Sequence, residues 1–340
     1  MNRRHLLSTL ALLPLAALIP GGCSKKSVVI PSAVDGSPPA TGNLLFPGVA
    51  ADVNTFTTLA NLQRHTEWVS HPAGEVPELL KNAGFSLVDG VIDPNGIGGQ
   101  TYVAERNGDV VVSFRGSGSD TDFKTFENIL ADTNVVRAVP HELITDAGDA
   151  RVHDGFYRNY LRFRDTIHQR IRSASGERIY VTGFSLGSAL ACFCGLDLKV
   201  NLGLVPTVHM LGTPRTGNVA WRALWQGHLS AGLRMSLEED PVSRVPLHVD
   251  EHSGFSHLSN LLVLAFDGTP ITADKVDGQL TDFHKEEETF KAHNRDKYAA
   301  AIQTFLAHFV EDNNILGLPP TESPLTRIAL AEANSVEHLK

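Results

Sequence analysis

The chain has 340 residues, 42% of them hydrophobic and 20% charged, and carries a formal net charge of −9. That is ordinary globular composition, enough for one large core or two modest domains, and the acidic balance speaks against a nucleic-acid partner. Past the N-terminus no apolar run is long enough to span a bilayer.

Asn2-Arg-Arg-His5 is a basic start, Leu6 to Ile19 is an apolar run broken by Ser8, Thr9 and Pro14, and Gly21-Gly22 precede Cys23. This pattern predicts an export signal over residues 1–23. Arg3-Arg4 ahead of the apolar run also resembles a twin-arginine signal. A cysteine after small residues resembles a bacterial lipoprotein site, at which Cys23 would be cleaved, lipidated and become the new N-terminus; Pro20 departs from the leucine usual there. The expectation is an exported protein, anchored to a membrane through Cys23 or released. Residues 24–43 mix Lys, Ser, Pro, Gly and Ala and read as a tether, 44–316 as the folded domain and 317–340 as a C-terminal tail.

From Ala51 to Phe85 the pattern is helical, with Leu59, Leu62, Trp68, Leu79 and Leu80 as core contacts. Val110 to Phe114 is too apolar for a surface strand and is placed centrally, running into Arg115-Gly-Ser-Gly118. Phe156, Tyr160, Phe163, Ile167 and Ile171 recur at helical spacing and define one helix face. Ile179 to Thr182 reads as a short buried strand and Leu186 to Val200 as a helix deep in the interior. Further strands are expected at Thr207–Leu211, Leu233–Leu237 and Leu261–Phe266, and a last helix from about Glu287 to Val310, with Phe290, Ile302, Phe305 and Phe309 facing inward. Cys192 and Cys194, two apart on a helix, point to nearly opposite sides, so both are expected to be buried thiols and not a bridge.

Strands alternating with helices predict an α/β fold: a mostly parallel central sheet covered by helices on both faces. In such sheets reactive groups gather at the carboxyl ends of the strands. Gly116-Ser117, Ser185, Pro214-Arg215 and Asp240 all fall at such ends.

Gly183-Phe-Ser-Leu-Gly187 joins a strand to a helix. A turn that sharp forces Ser185 into a strained backbone and lifts its hydroxyl off the sheet, beside the free amides of the helix start. A tight turn with an idle serine has the same pattern, but the flanking strand and apolar helix are what a nucleophile needs. An aliphatic hydroxyl barely ionises near neutral pH, so Ser185 requires a base and the base an orienting carboxylate. Asp240, at a strand end before Pro241, is placed to hold an imidazole, with Glu238 and Glu239 as competitors. The downstream histidines are His248, His252, His257, His284, His293, His308 and His338, and spacing does not choose among them. Negative charge developing on a substrate oxygen needs two amides. Leu186, after the nucleophile, supplies one, and the loop Gly116-Ser117-Gly118 is the candidate for the other.

Taken together, six blocks resemble the class 3 lipases, the fungal-type triacylglycerol lipases with their phospholipase A1 and feruloyl esterase relatives. The blocks are Phe114-Arg-Gly-Ser117, Val152-His-Asp-Gly-Phe156, Val181-Thr-Gly-Phe-Ser-Leu-Gly-Ser-Ala-Leu-Ala191, Leu211-Gly-Thr-Pro-Arg-Thr-Gly-Asn218, Asp240-Pro-Val-Ser-Arg-Val-Pro246 and His293-Asn-Arg-Asp-Lys-Tyr298. They span about Ala51 to Val310 in the family's order. The resemblance implies an α/β-hydrolase fold, Ser185 as nucleophile, Asp240 as orienter, His293 as base and Ser117 as the oxyanion-loop residue. It implies structural roles for Asp132, His153 and Arg215, and a lid over roughly Asp120 to Val139, here expected as an amphipathic helix. Two positions depart from the family: Phe184 stands where His is usual and Ser188 where Gly is usual. The expected activity is hydrolysis of acyl glycerols or, next, phospholipids at a lipid surface, with no cofactor and no metal. A phospholipase A1 or feruloyl-type esterase is the alternative, and a lipid-binding protein on a degenerate scaffold is the reading without chemistry.

Overall fold

The computed structural model describes residues 53–94, 99–117, 136–138, 143–229, 232–246, 254–258, 261–271 and 292–316. The leader with Cys23, the tether, Asp132, the C-terminal tail and His248, His252, His284 and His338 lie outside the described residues, as do Phe290 and most of the 120–139 segment.

Helices α1 (Val53–Trp68) and α2 (Val76–Asn82) precede three strands, β1 (Ser86–Ile92), β2 (Thr101–Arg106) and β3 (Asp109–Phe114). Next come β4 (Val136–Ala138), β5 (Arg151–His153), α3 (Asp154–Ser173), β6 (Arg178–Phe184) and α4 (Leu186–Leu202). The chain continues through β7 (Thr207–Leu211), β8 (Gly217–Asn218), α5 (Val219–His228), β9 (Gly232–Leu237) and a 3-10 turn, Val242–Arg244. It ends with β10 (Phe255–Ser256), β11 (Leu261–Leu264), β12 (Pro270–Ile271) and α6 (Arg295–Leu316).

Among the described residues the main sheet has eight strands in the order β1-β2-β3-β6-β7-β9-β11-β12. From β3 to β11 each neighbouring pair is parallel, while β1, β2 and β12 add antiparallel edges. Every residue of β3 is buried, as its run of Val requires at the sheet centre. The two sheet faces bury separate cores. Val110, Val112, Phe114, Ile179 and Val181 pack against α3 and α4. Phe184, Leu211, Leu233, Met235 and Leu237 pack against Phe56 and Leu59 of α1 and Tyr298, Ile302 and Phe305 of α6. A helix apolar all round belongs inside, and α4 is buried from Leu186 through Leu198. Cys192 and Cys194 are both free and buried there, and burial pushes the Cys192 thiol up to about 12.

Three expectations are corrected. The last helix starts at Arg295, not near 287, because Asn294 ends the preceding turn: its Oδ1 accepts from the amides of Asp296 (2.8 Å) and Lys297 (3.3 Å). The strand at 261 stops at Leu264, and Phe266 sits in the following turn with the Lys297 ammonium over its ring. The lid helix cannot extend through Val136–Ala138, since these residues pair antiparallel with β5 in a small second sheet, ordered β10-β8-β5-β4.

Candidate active site

Strand β6 delivers Ser185 to the N-terminus of α4 with φ 57° and ψ −126°. A non-glycine residue in such a conformation costs roughly 1–3 kcal/mol and persists only where its surroundings over-determine it. The surroundings are rigid. The Ser185 amide donates to the carbonyl of Leu211 on β7 (2.9 Å), and its carbonyl accepts from the amide of Ser188 (3.0 Å) and from that residue's hydroxyl (2.5 Å). The flanking glycines let helix and strand touch: a Cβ on Gly183 would lie 2.2 Å from the carbonyl carbon of Gly187, and one on Gly187 2.3 Å from the Phe114 carbonyl oxygen.

The loop after β3 lies against this elbow. A Cβ on Gly116 would sit 2.6 Å from the Phe184 carbonyl oxygen and 3.3 Å from Ser185 Cβ. The next residue, Ser117, has its hydroxyl buried without a hydrogen-bond partner among the described residues. Leu186 occupies the first position of α4, where backbone amides have no intrahelical acceptor.

Asp240 follows β9 and is fully buried, whereas Glu239 is exposed and Glu238 half-buried. Asp240 is also the carboxylate that meets a histidine: His293 Nδ1 lies 2.8 Å from its Oδ2. The same oxygen accepts from the Tyr298 hydroxyl at 2.5 Å, and Oδ1 accepts from the Val242 amide at 2.8 Å. Burial pushes this carboxyl up, but the His293 charge and the three donors outweigh burial and hold it below the ordinary carboxylate range. The Tyr298 hydroxyl is pushed well up by burial and by the Asp240 charge, so it stays a donor.

His293 precedes α6. Its Nε2 is buried and has no partner among the described residues, and its ring stacks on Phe184, the neighbour of Ser185, with centroids 4.6 Å apart and planes 19° apart. The fold therefore brings Ser185, Gly116-Ser117, Asp240 and His293 to one end of the sheet. Of the other histidines after Asp240 that lie among the described residues, His257 has its Nε2 taken by the Ser243 carbonyl and His308 is exposed. His153 accepts from the Phe156 amide (3.2 Å) at the start of α3, and Arg215 grips the carbonyls of Arg244 and Pro246 after Asp240, so both are structural.

Two contributors were not read from the sequence. Tyr298 stands within the His293 block, and its position in the first turn of α6 was the available signal. Phe184 departs from the family pattern, and its stacking depends on where α6 folds back, which the local sequence does not show. Among the described residues no group of three or more His, Cys, Asp or Glu side chains stands together that could hold a metal ion.

A strained serine at a helix start, an amide-rich loop pressed on it and a carboxylate-held imidazole are the parts required for acyl transfer. The mostly parallel sheet covered by helices on both faces is an α/β-hydrolase fold. Residues 111–249, from β3 past Asp240, match the family model for lipase (class 3). The chain is 29% identical over 208 residues to the secreted mono- and diacylglycerol lipase 1 of Fusarium solani, covering 59% of this chain and 57% of that protein. It is 25% identical over 251 residues to the phospholipase A1 EG1 of Oryza sativa subsp. indica, covering 64% and 52%. In fold it is similar to the mono- and diacylglycerol lipase of Aspergillus oryzae, with a TM-score of 0.52 and 20% identity over 75% of this chain and all of that one. These matches support the class 3 lipase family. The chain spans about half the length of the curated relatives it matches.

Proposed function

We propose that this protein is a carboxylic ester hydrolase that works through an acyl-enzyme on Ser185. The observation that carries the reading is the Asp240–His293 pair, 2.8 Å apart, stacked through His293 on the residue that precedes Ser185. In this account His293 Nε2 takes the Ser185 proton as Oγ bonds to the ester carbonyl carbon, and the carbonyl π pair moves to oxygen. The amides of Ser117 and Leu186 receive that oxyanion; removing one such donor typically costs ~100- to 1000-fold in rate. His293 then returns the proton to the departing alkoxide, and water repeats the cycle to free the acid. Asp240 keeps Nδ1 protonated and steadies the imidazolium.

Acyl glycerols are the favoured substrates and phospholipids the second, in line with the activities named for the similar Fusarium, Aspergillus and rice proteins. The basic and apolar leader and Cys23 favour an exported protein, lipid-anchored at that cysteine or released. Fatty-acid labelling of wild type and Cys23→Ser separates the two: label on wild type alone supports the anchor, and an unlabelled wild type removes it.

The assay is release of fatty acid from triolein, diolein, phosphatidylcholine and p-nitrophenyl esters by wild type and Ser185→Ala. Hydrolysis of glycerides by wild type alone supports the reading. No hydrolysis of any of them would leave a lipid-binding scaffold in its place.

A further inference from the structure

We propose that Phe184 is a positioning residue whose ring face stabilises the imidazolium formed on His293 during the reaction, an inference that rests on His293 being the base. The two rings lie nearly parallel at 4.6 Å, and Tyr298 meets Phe184 edge-on, its ring 5.2 Å away at 74°. Phe184 is buried and packed into the core beneath α1 and α6, so its plane is fixed before substrate arrives.

Asp240 meets the imidazole in the ring plane at Nδ1. Phe184 meets it on the face. A near-parallel stack of two neutral rings gains little electrostatically, since both faces are negative. Once the Ser185 proton moves to Nε2 the ring is a cation, and a cation over an aromatic face is attracted by the ring quadrupole, more strongly where water is excluded. The contact is therefore stronger in the transition state than in the resting enzyme, which is the condition for raising kcat and not merely binding. The step itself is the proton transfer given above: the Oγ–H bond breaks, the Nε2–H bond forms, and the Oγ pair becomes the new bond to carbon.

The test replaces the electrons of the ring while keeping its shape. Phe184→4-fluorophenylalanine, Phe184→3,5-difluorophenylalanine and Phe184→pentafluorophenylalanine progressively cancel and then reverse the quadrupole, and Phe184→Leu removes the face. Steady-state kcat and KM on p-nitrophenyl butyrate, with Tm as the check on folding, are the readouts. The expected result is a graded fall in kcat reaching roughly tenfold at the pentafluoro variant, with KM and Tm unchanged. A kcat that does not vary across the fluorinated series overturns the proposal, whether or not Phe184→Leu loses activity, because a packing role depends on shape alone. If wild type itself hydrolyses no ester, the functional reading fails first, and the two failures are told apart.

Discussion

Tyr298 and His293 converge on one atom, Asp240 Oδ2, at 2.5 Å and 2.8 Å. The tyrosine comes from the first turn of α6 and the histidine from the turn before it, so the helix start fixes both distances at once. With the Val242 amide on the other oxygen, the carboxylate has three donors and no freedom to turn.

Tyr298→Phe removes the shortest of these bonds and leaves the others. A buried hydrogen bond to a charged acceptor contributes about 1.5–3 kcal/mol, so a stability loss of that order in urea unfolding is expected, with a several-fold fall in kcat. The depressed Asp240 carboxyl contributes stability that is present above the unfolded carboxyl value and lost as pH falls through the lower folded one. Without Tyr298 that folded value rises, so acid inactivation begins at a higher pH than in wild type.

Asp240→Asn keeps the shape of the side chain but reverses the proton preference at His293 Nδ1. The expected fall in kcat is on the order of 10⁴-fold, with circular dichroism unchanged. Glu239→Gln, at an exposed position, is expected to leave the rate as it is.

The helix that carries Ser185 is clasped to α3 by a second buried carboxylate. Asp197 accepts from Tyr160 (2.5 Å), Arg164 (2.9 Å), Asn201 (2.6 Å) and His168 (2.7 Å). Burial pushes its carboxyl up, and the His168, Arg164 and Tyr160 bonds outweigh that and lower it. Removing one partner of a buried charged pair costs about 3–5 kcal/mol, so Asp197→Ala is expected to lose that much in urea unfolding, while Asp197→Asn retains part of it.

Among the described residues three buried histidines, His65, His209 and His257, are held well below the ordinary imidazole value, chiefly by burial. Burial lowers His209 to about 4 and His65 to about 3, from 6.5. Below 6.5 the unfolded chain binds protons that the folded one does not. Stability is therefore complete above that value and falls as pH drops toward 4 and then 3, by roughly 3 kcal/mol for His209 alone. Urea unfolding between pH 7 and 4 should show this slope, and His209→Leu should reduce it by that residue's share, leaving the part due to His65 and His257.

Much of this was legible in the chain. Val110–Phe114 and the apolar stretch after Ser185 are so largely hydrophobic that only the sheet centre and the interior could hold them. The less legible parts are those where exposure is mixed. Strand β1 mixes exposed and half-buried residues without alternation before the buried Ile92, with Asp89 and Gly90 within it, and offers no clean period. The start of α6 is hidden in the sequence because helix-forming residues run on upstream of Asn294, whose cap sets the first turn. His293 could not be separated from six other histidines by spacing, since its partner is a contact across 53 positions; the family resemblance chose it.

The central claim, that Ser185 is activated by His293 held on Asp240, is tested most directly by reaction with a fluorophosphonate, read by intact mass and peptide mapping. The account predicts one adduct per chain, located on Ser185, absent in Ser185→Ala and formed at least ~1000-fold more slowly in His293→Ala. An unlabelled wild type, an adduct on another residue, or equal labelling rates in wild type and His293→Ala would contradict it.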